Sequence, residues 1–214
     1  MNDARGEILN RVAAALRESP VPESAPRTYR RERTLGAGEL VGLFCERVGE
    51  YNAEVRRVSP GGVAAAVADA CCQRGARRLV APSQLPADWR PTEVEFLADA
   101  ALSPRELDAL DGVLTGCTLA IAATGTIVLT AGPREGRRAL TLVPDLHICV
   151  VEEVQIVEHV PEAMSRLADL VARERPPVTL VSGPSATSDI ELSRVEGVHG
   201  PRTLVVLVVS EEAP

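Results

Sequence analysis

The sequence predicts an α/β domain, a mixed and mostly parallel sheet flanked by helices. Short apolar runs alternate with helix-period text over the outer parts of the chain, while the middle carries consecutive strands. Aromatic residues make up only 2% of a composition that is 45% hydrophobic, so Leu, Val, Ile and Ala must fill the core. A core of that kind suits a sheet covered on both faces.

Residues 4 to 18 read as an amphipathic helix, with Ile8, Val12, Ala15 and Leu16 on one face. Pro20, Pro22 and Pro26 then interrupt the chain. Residues 1–36 are therefore expected to be a helix and proline-rich arm, and residues 37–214 one α/β domain. Leu40, Val41, Phe44 and Val48 give helical spacing over 37 to 50. A strand at 54 to 58, a helix opened by Pro60 and closed at Gly75, and a strand at 77 to 81 make a β-helix-β unit. Residues 82 to 103 are loop-rich, with a strand expected around 93 to 96. Ser103, Pro104 and Glu106 form a capping box for the next helix. Strands follow at 119 to 122, 126 to 130, 140 to 143 and 147 to 151, with Gly132–Gly136 as a turn. A helix over 161 to 173, a strand at 178 to 181, a helical or turn segment after Ser182, and a strand at 204 to 209 complete the chain.

The formal charge of −7 and a pI of about 5.1 argue against nucleic acid as a partner. Arg27, Arg30, Arg31 and Arg33 read as a solvated segment. Five cysteines occur without a CxxC pair, which argues against an iron–sulfur cluster or structural zinc. Cys117 and Cys149 sit in apolar strand text, where cysteine packs as a small hydrophobe. Free thiols fit a reducing compartment, and the amino terminus lacks an apolar leader, so a cytoplasmic location is expected. No run is long and apolar enough to span a membrane.

Three segments have the residue types that hold or transform small ligands. Thr124-Gly125-Thr126 combines hydroxyls with a glycine that lets backbone approach a carboxylate or phosphate, although the same residues make a tight hairpin turn. Ser182 to Glu191 follows a strand. There Ser182, Gly183, Ser185, Thr187 and Ser188 offer donors to an anion, while Asp189 and Glu191 are acid/base candidates. Those same residues are also a helix-capping sequence. His199 lies between glycines in Gly197-Val198-His199-Gly200-Pro201, free to titrate or simply part of a surface turn. His147 reads as a hydrogen-bonded histidine in a strand, and His159 as a surface residue. Walker A text and a two-histidine metal spacing are both missing.

The ordered set Gly112-Val113-Leu114-Thr115-Gly116-Cys117, Ala123-Thr124-Gly125-Thr126, Pro144-Asp145-Leu146-His147-Ile148, Ser182 through Glu191 and Gly197 through Pro201 resembles the LUD (lactate utilisation) domain family. The likeness covers nearly the whole chain. It implies a fold similar to the sugar-phosphate isomerase and CoA-transferase superfamily. It also implies a part in oxidising L-lactate to pyruvate, with no intrinsic cofactor and with iron–sulfur clusters in separate partner proteins. The small carboxylate or phosphate ligand would sit on the Thr124–Thr126 and Ser182–Ser188 loops, with Asp189, Glu191 or His199 handling a proton. The family pattern carries an acid before Thr-Gly-Thr, where this chain has Ala123. Two alternatives stay open: a non-catalytic, small-anion-binding regulatory module, and a CoA-transferase-like or isomerase-like enzyme acting on another small acid.

Overall fold

A computed structural model describes residues 4–17, 26, 28–30, 32–187, 195–196 and 200–211. Helix α1 (Ala4–Arg17) buries none of its residues. Helix α2 (Ala37–Gly49) turns Leu40, Val41, Phe44 and Val48 inward, each worth about 1.5–3 kcal/mol on removal from water. Strand β1 (Glu54–Val58) leads through a 3-10 turn at Pro60–Gly62 into α3 (Val63–Arg74), which stops at Gly75 in the left-handed region. Strands β2 (Arg78–Ala81) and β3 (Glu95–Ala98) follow, then the short helix α4 (Pro104–Asp108). Its capping box forms as the sequence predicts: Ser103 Oγ accepts from Glu106 N, and Glu106 Oε2 accepts from Ser103 N at 2.7 Å.

The chain continues through β4 (Gly112–Thr115), β5 (Leu119–Ile121), β6 (Thr126–Leu129), β7 (Leu146–Glu152) and β8 (Ile156–Val157). Helix α5 (Val160–Glu174), β9 (Thr179–Val181), β10 (Ala186–Thr187), β11 (Val195–Glu196) and β12 (Thr203–Val209) come last. Six strands make an all-parallel sheet in the order β1-β12-β7-β4-β2-β3. A second sheet has the order β8-β5-β6-β9, and its β5–β6 and β6–β9 pairs are antiparallel. The expected mostly parallel sheet is thus present, and of the middle strands β4 and β7 join it while β5 and β6 stack on it in the second sheet.

Helix α3 covers one face of the parallel sheet, packing Val63, Val67 and Ala70 on Leu79, Leu114, Ile148 and Val205. Helix α2 and the second sheet cover the other, where Phe44, Val48, Ala120 and Ile127 meet Cys149, Val151, Val206 and Val208. Both faces being buried explains why β7 and β12 are nearly continuous apolar text.

Two local expectations are corrected. The apolar run at 140 to 143 is no strand: residues Arg138–Thr141 form a 3-10 turn that buries Leu140 against Val80, Leu107 and Val113. At Ala186 and Thr187, where the sequence suggests a helical or turn segment, the chain is extended and pairs antiparallel with Glu196 and Val195; residues 188–194 lie outside the described residues.

The segment ahead of α2 is held by one carboxylate. Glu158, 4% exposed, accepts from Thr34 N at 2.6 Å, Thr34 Oγ1 at 2.8 Å and Leu35 N at 3.0 Å, while His159 Nε2 lies 3.1 Å away. The Thr34 backbone bond is the largest cause that holds the Glu158 carboxyl down at about 2.

Candidate functional site

The first predicted loop is a brace. Ala122–Thr124 form a 3-10 turn and Gly125 follows at φ +57°. A Cβ on Gly125 would lie 2.6 Å from the Arg47 carbonyl carbon and 2.7 Å from Val48 N. Glycine is required there because the β5–β6 turn presses directly onto the backbone of α2. The hydroxyls are also engaged. Thr124 Oγ1 and Thr126 Oγ1 are 2.7 Å apart, and Thr126 Oγ1 is 2.8 Å from Ser182 Oγ. The structure therefore joins the two predicted loops through a chain of three hydroxyls. Ala123 is exposed, and its N–H donates to Glu158 O at 3.0 Å.

The second loop does line a cavity, of about 260 Å³. Ser182, Gly183 and Ser185 form one side, and Thr141, Thr179 and His147 bring further polar groups. Leu142, Val181 and Leu204 supply an apolar side. Gly183 has φ +94°, and a Cβ there would overlap Tyr51 Cβ at 2.4 Å, so the turn is built on glycine. Ser185 N donates to Pro201 O at 2.8 Å, which brings the Gly200-Pro201 end of the third predicted segment against the second. Thr187 is described only as backbone, in β10. Ser188, Asp189, Glu191 and His199 lie outside the described residues.

His147, which the sequence reads as a hydrogen-bonded histidine in a strand, also lines the cavity. It is 1% exposed, sits near the amino end of β7, and its Nε2 is 2.8 Å from Thr115 Oγ1. Both readings hold: the ring is hydrogen-bonded within the sheet and forms part of the cavity wall. Beyond it, Cys149 pairs with Thr115 in the β4–β7 register, and its thiol donates to the Gly116 carbonyl at 3.6 Å. The neighbouring Cys117 thiol, aided by His147 and Thr115, lowers the Cys149 thiol against the effect of burial. Cys117 is pushed up, first by Cys149 and then by its own burial.

A larger cavity, of about 930 Å³, escaped the sequence reading. It lies past the carboxyl ends of β2, β3 and β4, where open α/β sheets place their ligands. Residues of its wall include Gln84, Asp99, Cys117, Arg134, Glu135 and Gln155. Glu135 is 3% exposed and fully engaged. One oxygen accepts from Thr118 Oγ1 at 2.5 Å, and the other accepts from Thr130 N at 2.5 Å and Gly132 N at 3.0 Å. Arg134 bonds Glu152 at 2.9 Å and lies over the Trp89 ring, 5.7 Å from its centroid. Arg137 grips Asp99 through two nitrogens at 2.7 and 2.9 Å, which lowers the Asp99 carboxyl. The available signal was the Gly132–Gly136 turn, which carries Arg134 and Glu135 between two glycines. Among the described residues, no group of three or more His, Cys, Asp or Glu is placed to hold a metal ion, and no helix is long and apolar enough to cross a membrane.

The comparisons agree with this architecture. Residues 99–209 match the LUD domain family. Lactate utilization protein C of Deinococcus radiodurans is 46% identical over 208 residues, covering 97% of this chain and 96% of that one. The uncharacterized protein YkgG of Escherichia coli is 28% identical, over 98% of this chain and 99% of its own length. The crystal structure of a DUF162 family protein from Deinococcus radiodurans aligns with a TM-score of 0.73 at 42% identity, covering 83% of this chain and 100% of that one. With that extent of likeness and the LUD match across the second half, the chain belongs to the LUD domain family.

Proposed function

We propose that this chain serves lactate utilisation, as a subunit or accessory of a system that oxidises L-lactate to pyruvate alongside iron–sulfur partner proteins. The observation that carries the reading is the 46% identity, over nearly both full lengths, to a protein named lactate utilization protein C. The cavity chemistry supports it. Hydroxyl residues and the His147 ring suit a small carboxylate, and the Leu142, Val181 and Leu204 side suits a single methyl group. A volume of about 260 Å³ takes a molecule of a few heavy atoms. In this reading the iron–sulfur partners carry the electrons, and this chain binds and orients the acid.

Ala123 favours a second reading, in which the chain binds the acid without turning it over. The exposed turn position that carries an acid in the family pattern has no titratable group here. The deciding experiment is deletion of the gene followed by growth on L-lactate as sole carbon source, with the wild-type gene restored in parallel. Loss of growth, recovered on restoration, is expected. Unchanged growth removes the lactate reading, and lactate turnover by the purified chain alone removes the second.

A further inference from the structure

Among the described residues, the wall of the small cavity contains no Arg, Lys, Asp or Glu. A carboxylate seated there meets hydroxyls, backbone and the His147 ring. Without a fixed charge in the wall, the direction of each proton decides: an N–H or O–H aimed at the acid holds it, and a lone pair repels it. His147 can present either. Its Nε2 is taken on the closed side. It lies 2.8 Å from the Oγ1 of Thr115, which is 0% exposed at the end of β4 and forms no part of the wall. Nδ1 is the ring nitrogen left for a ligand.

The direction of the Thr115 bond decides what Nδ1 carries. A buried hydroxyl whose proton finds no acceptor is costly. The alternative acceptor is the sulfur of Cys149, which pairs with Thr115 in the β4–β7 register. Sulfur is a weak acceptor, and the Cys149 thiol itself donates to the Gly116 carbonyl. The imidazole nitrogen is therefore the better place for the Thr115 proton, and a ring whose Nε2 accepts carries its own proton on Nδ1.

We propose that Thr115 is a positioning residue of the acid site: its hydroxyl donates to His147 Nε2, fixes the ring as the Nδ1–H form, and so supplies an N–H donor to the carboxylate. This role rests on the small cavity being the acid site, and it extends to small carboxylates as a class. Lactate and pyruvate share the carboxylate, so both depend on Thr115 alike. Strand β4 lies between β7 and β2, and Val113 pairs with His147. The sheet, not a loop, sets the spacing of hydroxyl and ring, so the donor is in place before the acid arrives.

The test has two arms. Nitrogen-15 NMR of the full-length protein with labelled histidine rings, at neutral pH and without ligand, reads which nitrogen of His147 holds the proton. A proton on Nδ1 and a hydrogen-bonded, unprotonated Nε2 are expected. A proton on Nε2, alone or together with one on Nδ1, overturns the proposal, and this wild-type measurement decides even if a variant fails to fold. Calorimetry with L-lactate, pyruvate and acetate then compares the wild type with Thr115→Ser, which keeps the hydroxyl, and Thr115→Val, which keeps the shape without it. Thr115→Ser is expected to retain the ring form and the affinity. Thr115→Val is expected to mix the ring forms and to weaken binding roughly ten- to a hundredfold. A folded Thr115→Val with ring form and affinity unchanged overturns the proposal. Binding of acetate and pyruvate but not of lactate, with the same loss in Thr115→Val, removes the lactate reading and supports the role of Thr115. Binding of none of the three overturns both.

Discussion

The small cavity beside His147 and the large cavity beside Arg134 lie toward opposite ends of the parallel sheet, and their polar groups are committed differently. At the carboxyl end, Glu135 is saturated by backbone and threonine donors, and Asp99 and Glu152 are each paired with an arginine. Those charges hold a wall in place. At the amino end of β7 and β12, the wall is made of hydroxyl residues, one imidazole and apolar side chains, held by glycine turns. Size alone would favour the large cavity. The state of the polar groups favours the small one for a small acid, since hydroxyl donors need not give up an ion pair to take a carboxylate.

The largest expected effect tests the brace. Gly125→Ala places a side chain in the left-handed region and against the α2 backbone, so a loss of about 3 kcal/mol or more is expected from strain and overlap together. A thermal melt reads it, and an unchanged melting temperature would show that α2 yields to the turn. Next comes Glu135→Gln, which removes the acceptor serving Thr118, Thr130 and Gly132. It is expected to cost about 2 kcal/mol in urea unfolding while lactate binding stays as it was. Lost binding with little change in stability would instead move the ligand site to the large cavity.

Ser182→Ala sharpens the comparison from the other side. It takes away one of the hydroxyl partners of Thr126, for about 1 kcal/mol of stability, and a donor in the small cavity, for about a tenfold loss of lactate affinity by calorimetry. The mildest effect is one of pH. The folded Glu158 carboxyl lies at about 2, below its ordinary value of 4.5. Its contribution is therefore fully present above the ordinary value and is lost as pH falls through about 2. Amide resonances of Thr34 and Leu35 are expected to shift over that interval, and Glu158→Gln is expected to remove the shift.

Legibility in the sequence followed the range of the interactions. The β1–α3–β2 unit was readable because Pro60 and Gly75 act on their own backbone, and the Ser103 box because its partner is three residues away. The 140 to 143 run was misread because an apolar stretch that short looks the same in a strand and in a buried turn. The Ser182–Ser185 wall was legible as hydroxyls and glycine after a strand. His147 could be placed in a strand, but its cavity depends on β9 and Pro201 folding over it from more than thirty residues away. The large cavity was invisible for the same reason: its wall draws residues from Pro82 to Pro176, and Glu135 folds back onto Thr118 and Thr130.

The position of β9 has a kinetic consequence. His147 and Leu204 stand on neighbouring strands in the interior of the parallel sheet, whereas Thr179–Val181 is a three-residue strand at the margin of its sheet, paired among the described residues only with β6, with Leu180 54% exposed. One side of the small cavity is therefore slow to open and the other quick. An acid seated between them would tie the quick side to the slow one. Its residence time would then appear as slowed hydrogen exchange along β9.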